Sequence, residues 1–239
     1  MSTLNTLKLG LVALREGGRL SLDALGDIAG RSLPYLPEAV ATPPVLEELI
    51  NRYGLEPDLG PVRIESVLRQ DIPSVSSNCQ NLVLSLEQGA GSALPDSLFV
   101  KLPMESLTTR WFFSVINSWR LESHFFRHLA ADLPLRTPRT YATHWQGSRF
   151  FLIQENLHED DSVTLFTNPD MLEGPSLTLV RRCLDSFARL HACHHGLDAT
   201  EREAILPLEY HLFLSPTMGV VSRTLNQLAL APCMKKRPG

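Results

Sequence analysis

Three short segments of β-forming residues follow one another between residues 62 and 102, and they limit the fold more than any other feature of the sequence. Val62–Leu68, Asn81–Leu86 and Leu98–Leu102 are separated by loops rich in polar residues or proline. Short extended runs bounded by such residues are typical of strands. Because consecutive strands usually lie side by side, we predict a meander of three antiparallel strands.

A long helix and two further strands are predicted after the meander. The spacing of apolar residues indicates one continuous helix over Thr109–Ala131. Strands at Thr140–Thr143 and Phe150–Gln154 follow, with a turn at 146–148, and Leu177–His191 has a helical period again. This order predicts an α+β fold, with an antiparallel-sheet lobe followed by the start of a helical lobe.

Two helices are predicted ahead of the meander. The first carries leucines on one face, namely Leu4, Leu7, Leu11 and Leu14. It is expected to end at Gly17-Gly18. For the second, Thr42 is a candidate N-cap and Gly54 is expected to end the helix. We therefore divide the chain into a helical extension and connector (1–41), a sheet lobe (42–157) and a partial helical lobe with an unrelated tail (158–239).

Composition excludes some classes of partner. The 239 residues carry a net charge of −4, whereas proteins that bind nucleic acid usually show a basic surplus. No apolar run reaches the length of a membrane-spanning helix. The four cysteines (Cys79, Cys183, Cys193 and Cys233) are scattered, and we expect reduced thiols in a cytoplasmic protein that binds neither nucleic acid nor membranes.

Two charged residues lie where the pattern predicts burial. Lys101 interrupts the apolar run of the third strand and shares a face with Phe99. Glu122 lies on the apolar face of the predicted long helix, between Trp119 and Phe125. Because an unpaired buried charge is costly, each side chain is a candidate partner for the other. The alternative is that both extend to solvent from the rim of an apolar face.

Five stretches resemble, in order and separation, the aminoglycoside phosphotransferase/choline kinase-like superfamily, particularly its ecdysteroid kinase-like branch. They are Pro95–Pro103, Glu122–Leu129, Pro138–Ala142, Phe150–Leu157 and Phe187–Ala192. The resemblance implies a protein-kinase-like fold, with an antiparallel-sheet N-lobe and the start of a helical C-lobe. In such folds the strand lysine holds nucleotide phosphates and a helix glutamate holds the lysine.

The resemblance also implies ATP as the ligand and assigns roles to individual residues. Lys101 would contact the α- and β-phosphates, and Glu122 would pair with Lys101. The loop Ser74–Asn78, including Ser76, Ser77 and Asn78, would close over the phosphates. The backbone of a hinge would hold the adenine, and its residues are Gln154, Glu155, Asn156 and Leu157.

Two features depart from the family pattern. The loop over the phosphates contains no glycine, so its hydroxyls and amide would donate to the phosphates instead. Phosphoryl transfer also needs one residue to orient the acceptor hydroxyl and another to hold magnesium. The family places these after the Phe187–Ala192 helix, but the 47 residues after Ala192 contain no such pair, and His158–Asp160 directly follows the hinge. We therefore expect this chain to lack catalytic residues and magnesium ligands, with magnesium bound only where the remaining C-lobe is present.

Two classes of function stay open at this point. The first is a phosphotransferase whose full-length form moves the γ-phosphate of ATP to a hydroxyl of a small-molecule substrate, with this chain inactive alone. The second is a nucleotide-binding or regulatory pseudokinase-like module, and a third reading is a truncated product without function.

Two surface features complete the sequence-based expectations. His191, Cys193 and His195 have helical spacing, but no complete set of ligands accompanies them, so we predict no metal site. Loss of the helical lobe would expose the apolar faces of Leu177–His191 and Leu212–Leu214. We therefore expect self-association through this surface.

Overall fold

The computed structural model of the chain describes residues 3–28, 32–72, 79–89, 93–166, 170 and 174–205, with side chains omitted at 3–9, 27–28 and 203. The helices in this part are α1 (Thr3–Ile28), α2 (Pro37–Val40), α3 (Pro43–Tyr53), α4 (Leu107–Val115), α5 (Ser118–His128), α6 (Leu177–Cys193) and α7 (Ala199–Ile205). The strands are β1 (Ile64–Ile72), β2 (Cys79–Gln88), β3 (Ser97–Pro103), β4 (Thr140–Gln146) and β5 (Arg149–Glu155). Short 3₁₀ turns cover Pro57–Leu59, Ala130–Asp132 and Leu157–Glu159.

The five strands form one antiparallel sheet in the order β1-β2-β3-β5-β4, so the protein has a mixed α+β fold. The predicted meander is confirmed as β1, β2 and β3. The two later strands pair as a hairpin, and β5 joins the meander by pairing with β3. This crossover makes β3 the central strand, which is the position that carries Lys101.

Alternation along β3 divides the sheet into two faces. Leu98, Val100 and Leu102 are fully buried and contribute to the main hydrophobic core, which α3 covers. Phe99 and Lys101 lie on the opposite face, where α5 packs against β4 and β5. The prediction that β3 has one core face and one face with the lysine is therefore confirmed.

The helix predicted over Thr109–Ala131 is broken into α4 and α5, so the prediction of one continuous helix is wrong. Asn117 adopts a left-handed backbone conformation with a φ of 56°. Asparagine tolerates this region better than most residues, and one such residue interrupts the helical hydrogen bonds. The break allows α4 to lie against α1 while α5 lies on the sheet.

The prediction that the first helix ends at Gly17-Gly18 is also wrong, because α1 continues through both glycines to Ile28. Contacts with α4 support the helix at this point. Trp111 Nε1 donates to the carbonyl of Ala13 at 3.0 Å, and the indole lies over Gly17. In the described part of the chain, neither α1 nor any other helix is both long and apolar enough to cross a bilayer.

The end of α1 is fixed on the β4–β5 turn by Asp23. Its carboxylate Oδ2 accepts hydrogen bonds from the backbone N–H and the hydroxyl of Ser148, at 3.0 and 2.6 Å. A side chain at Gly147 would place its Cβ 2.8 Å from Asp23 Oδ1, and Gly147 has a φ of 57°. The turn therefore needs glycine at 147 for both its conformation and its approach to the carboxylate.

Two buried arginines lie beside this contact and enclose the ring of Tyr35. The guanidinium carbons of Arg110 and Arg149 are 4.1 and 4.6 Å from the ring centroid. Arg110 also donates to the Ser148 hydroxyl at 2.6 Å, and Arg149 donates to the carbonyl of Leu33 at 2.8 Å. The cluster joins α1, the connector, α4 and the hairpin turn.

α3 is held on β4 by an aromatic contact. The rings of Tyr53 and His144 are stacked with their centroids 4.2 Å apart. Burial lowers the pKa of His144, and the positive charges of Arg127 and Arg52 lower it further. The folded protein therefore favours the neutral imidazole.

We expect the free energy of unfolding to decrease as the pH falls below about 6.5. The reason is that His144 becomes protonated at a higher pH in the unfolded chain than in the folded protein. His144→Phe keeps an aromatic ring stacked on Tyr53 but has no group that titrates. The decrease in the free energy of unfolding between about pH 6.5 and pH 5 should therefore become shallower. The decrease should not vanish, because burial also lowers the pKa of His128, which adds a pH dependence of the same sign. Urea titrations at several pH values measure the effect, with the exposed His195→Phe as control. An unchanged slope for His144→Phe would contradict the expectation.

Candidate functional site

The centre of the candidate site is the contact between Lys101 and Glu122. Lys101 Nζ lies 2.6 Å from Glu122 Oε1, joining the central strand β3 to α5. The side chains are 22% and 24% exposed, so the pair is neither fully buried nor at the surface. The contact expected from the sequence is present, and the alternative of two separate side chains at the rim is not what the structure shows.

The sheet around Lys101 supplies neighbours of mixed polarity. Asn81 on β2 and Leu152 on β5 are the cross-strand partners of Lys101, and residues paired in this way share a face. The Asn81 Oδ1 atom is buried and accepts no hydrogen bond from the described residues. The half-buried ring of Phe99 lies two residues away on the same face. Together they form a surface with one cation, one open amide acceptor and one aromatic ring.

Sequence reasoning missed Asn81. It is the polar residue at the start of an otherwise apolar run, which was a weak signal. Its position opposite Lys101 depends on the register between β2 and β3, and residues 73–78, which precede β2, lie outside the described part of the chain. Alternation within each strand fixes which residues share a face, but it does not fix which residues lie opposite each other across the two strands.

A small aromatic cluster supports the pair from behind. Trp119 precedes Glu122 by one turn of α5 and is almost fully buried. It packs with Phe150, Leu152 and the thiol-bearing Cys79 at the start of β2. This cluster fixes α5 on the sheet and so sets the position of the Glu122 carboxylate.

Burial raises the pKa of the Cys79 thiol to about 11. We expect Cys79 to resist alkylation by iodoacetamide at pH 8, because its thiolate fraction is roughly a hundredfold below that of an ordinary thiol. Cys183 and Cys193 are exposed and should react first. Mass spectrometry of the digested protein measures the order, and unfolding in urea provides the control because it removes the protection. Equal rates for the three thiols in the folded state would contradict the expectation.

The four hinge residues do not occupy equivalent positions. Gln154 and Glu155 lie within β5 and pair with Phe99 and Leu98 of β3, and the Glu155 N–H donates to the carbonyl of Arg139 at 2.9 Å. Asn156 follows the strand, and its side chain donates to the Ser97 hydroxyl at 2.9 Å and accepts from the His158 N–H at 3.2 Å. Leu157 begins a 3₁₀ turn. Only the segment Asn156–Leu157 thus lies beyond the end of the sheet.

Three residues of the predicted site lie outside the described part of the chain. Ser76, Ser77 and Asn78 belong to 73–78, which the structure does not describe, so the role of this loop stays a prediction. The structure starts again at Cys79, which is 22 residues before Lys101 in sequence but only two residue pairs from the Asn81–Lys101 pair in the ladder. The described start of β2 therefore lies near the Lys101–Glu122 pair.

Asp160, the acid of the segment that directly follows the hinge, is already engaged by neighbouring groups. Its Oδ2 accepts from Arg136 at 2.6 Å, and its Oδ1 accepts from the hydroxyl and the backbone N–H of Ser162 at 2.5 and 2.9 Å. These hydrogen bonds, first those of Ser162 and then that of Arg136, hold the pKa of Asp160 at about 2. A carboxylate held in this way is a poor proton acceptor.

The helical region after the hinge is exposed where the sequence predicted it would be. Leu177, Leu184 and Phe187 on α6 are all more than half exposed. Leu212–Leu214 lie outside the described residues, and self-association through this surface stays a prediction. His191, Cys193 and His195 are also exposed, and the described part of the chain contains no group of three or more such side chains placed to hold a metal ion.

Two cavities in the described part of the chain lie away from the pair. One of about 760 Å³ lies between α3 and β4, beside Tyr53 and His144. Another of about 670 Å³ lies where the end of α5 meets α6 and α7, beside His124 and His128. Neither of these two cavities is lined by Lys101 or Glu122.

No family model, curated protein or solved structure matches the chain. The class of protein that the structure itself defines is an α+β protein with a five-stranded antiparallel sheet. Any assignment of activity therefore depends on the site.

Proposed function

We propose that the sheet lobe binds ATP, with the phosphates held at Lys101, as in kinase-like small-molecule phosphotransferases. The observation that carries the proposal is the ion pair of Lys101 and Glu122, which joins the central strand to the helix behind it. Glu122 offsets the cost of the partly buried lysine, and a glutamate on the helix behind a strand lysine is also the arrangement that holds nucleotide phosphates in kinase folds. Here the partner comes from α5, 21 residues away in the chain.

The chemistry of the pair suits a polyphosphate. An ammonium group has three donors, and the contact with Glu122 Oε1 uses one of them. The partial exposure of both side chains leaves the other donors accessible to a ligand from solvent. Glu122 would act as a positioning residue, because it holds the ammonium in one place without itself contacting the anion.

The surroundings of the pair support a nucleotide rather than phosphate alone. The half-buried ring of Phe99 lies on the Lys101 face, and aromatic rings stack favourably on nucleobases. The backbone of Asn156–Leu157, just past the end of β5, is the part of the predicted hinge best placed to hold the adenine edge. Gln154 and Glu155 would contribute by fixing the end of the strand.

We further propose that this chain by itself binds ATP without transferring its γ-phosphate. Transfer to a hydroxyl of a small-molecule acceptor requires an acid that accepts the hydroxyl proton and ligands for magnesium. Asp160, the nearest His-x-Asp acid in sequence, is held by Arg136 and Ser162. The phosphotransferase reaction belongs to a form of the protein that supplies these acids, and the alternative is a regulatory module that binds nucleotide without chemistry.

Isothermal titration calorimetry with ATP tests the proposal directly. We expect saturable binding of one ATP per chain, with ADP binding more weakly and inorganic phosphate weakest. The absence of heat or of any thermal stabilisation by millimolar ATP would overturn the nucleotide proposal. Turnover of ATP in the presence of a hydroxyl-bearing acceptor would overturn the second part, which denies transfer by this chain alone.

A further inference from the structure

The outward face of α1 carries a stripe of leucines that the described part of the chain does not cover. Leu11, Leu14, Leu22 and Leu25 are between 62% and 75% exposed. At 3.6 residues per turn, all four project within about 40° of Gly18 around the helix axis. The four side chains and the glycine thus form one straight strip along α1.

The opposite face of α1 is fixed on the rest of the molecule. Trp111 donates to the carbonyl of Ala13, Asp23 holds Ser148, and the Glu16 carboxylate is almost fully buried. The helix cannot turn its leucines inward without breaking these contacts. The apolar strip is therefore a fixed feature of the surface.

Over residues 11–25 the spacing of the strip is symmetric about Gly18, and in the sequence Leu4 and Leu7 continue the same pattern toward the N-terminus. Leu14 and Leu22 lie four residues on either side of it, and Leu11 and Leu25 lie seven residues on either side. Leu11 and Leu22 are eleven residues apart, as are Leu14 and Leu25, which matches the period of a nearly straight helix. A Cβ at Gly18 would meet no atom of the described residues within 4 Å, so another backbone can approach closely there.

We propose that α1 is a homodimerisation surface on which two copies of this chain pair antiparallel, with the two-fold axis at Gly18. This pairing places Leu14 against Leu22 of the second copy and Leu11 against Leu25 of the second copy. A two-fold interface must be complementary to itself, and a strip symmetric about its centre satisfies this condition. The proposal does not depend on nucleotide binding.

Charge and size both favour a second copy as the occupant. Among the exposed residues of α1 from 10 to 25, Arg15 alone is charged. An interfacial membrane helix instead carries many basic residues beside its apolar face. Two such strips with their flanking atoms bury on the order of 1,000 Å² in total, which is the lower end for a specific interface. The apolar face of α6, formed by Leu177, Leu184 and Phe187, lacks this symmetry.

Sedimentation equilibrium tests the proposal with matched variants. We expect the wild type to be dimeric at about 100 µM and the double variant Leu14→Glu/Leu22→Glu to dissociate at least roughly a hundredfold more readily. The controls Leu68→Glu on β1 and Leu184→Glu on α6 replace leucines of similar exposure and should leave the dimer intact. A monomeric wild type would overturn the proposal. So would a dimer that is dissociated by Leu184→Glu but not by the α1 double variant. A third result would also overturn the dimer proposal, in favour of a membrane surface: the wild type forms no dimer in solution but binds anionic vesicles, and the α1 double variant does not bind them.

Disulfide formation tests the antiparallel geometry in a background in which Cys183, Cys193 and Cys233 are replaced by serine. Gly18→Cys should give a covalent dimer on mild oxidation, because the two copies of residue 18 meet at the axis. A mixture of Leu11→Cys and Leu25→Cys chains should form the mixed disulfide in preference to either homodimer. Covalent homodimers of Leu11→Cys alone would show a parallel pairing and overturn the antiparallel arrangement.

Discussion

Lys101→Ala is expected to abolish the stabilisation of the protein by ATP while leaving the fold intact. At a ligand concentration of a hundred times Kd, binding stabilises a protein by about 2.7 kcal/mol. For a chain of this size that corresponds to a rise in Tm of roughly 5–10 °C. Removal of the ammonium takes away the cation that is proposed to hold the phosphates, so the rise in Tm should vanish. Differential scanning fluorimetry with and without ATP measures it.

Three variants separate a nucleotide role of the pair from a structural one. Glu122→Gln keeps the size of the side chain but holds the ammonium less firmly, so ATP affinity should fall about tenfold. The exchange Lys101→Glu/Glu122→Lys restores an ion pair between β3 and α5 and should recover stability without recovering ATP binding. Arg63→Ala removes an exposed positive charge elsewhere and should change neither the stability nor the ATP affinity. Recovery of ATP binding by the exchanged pair would contradict the placement of the phosphates at β3.

Asp23→Ala is expected to destabilise the folded protein by about 2–3 kcal/mol, which is a large effect for a single side chain near the end of a helix. The carboxylate accepts two hydrogen bonds from Ser148 and lies beside the cluster that contains the buried Arg110 and Arg149. Its loss leaves the Ser148 N–H unpaired and removes a negative charge beside two cations. Urea unfolding followed by circular dichroism measures the change.

Two further variants define what this contact contributes. Asp23→Asn keeps an acceptor for one of the hydrogen bonds and should cost about half as much as the alanine variant. Asp161→Ala removes an exposed acid and should cost less than about 0.5 kcal/mol. A loss for Asp23→Ala no larger than that for Asp161→Ala would show that the end of α1 is not held by the carboxylate.

Much of the sheet lobe was predictable from local pattern. Alternation in β3 identified Leu98, Val100 and Leu102 as core residues and set Lys101 apart on the other face, because strand side chains alternate with a period of two. The apolar spacing around Glu122 placed its carboxylate on the inward face of a helix. The cost of an unpaired charge then predicted that these two residues meet.

The breaks and continuations of helices depended on distant parts of the chain. Local signals favoured a continuous helix through Asn117 and a helix end at Gly17-Gly18, and both predictions were wrong. Trp111 supports α1 across the two glycines from 98 residues away. Helix propensity is a weak term, and contacts of this kind outweigh it.

The sequence by itself determined the class of fold, the order of the elements and the two charges that mark the candidate site, because these follow from periodicity and from the cost of burying charge. The tertiary structure decided the strand order that makes β3 central, the position of Asn81 beside Lys101, and the contact of Asp23 with Ser148 across 125 residues. It also decided which face of α1 stays exposed. These features depend on strand register and on long-range packing, and neither is encoded in the residues next to them.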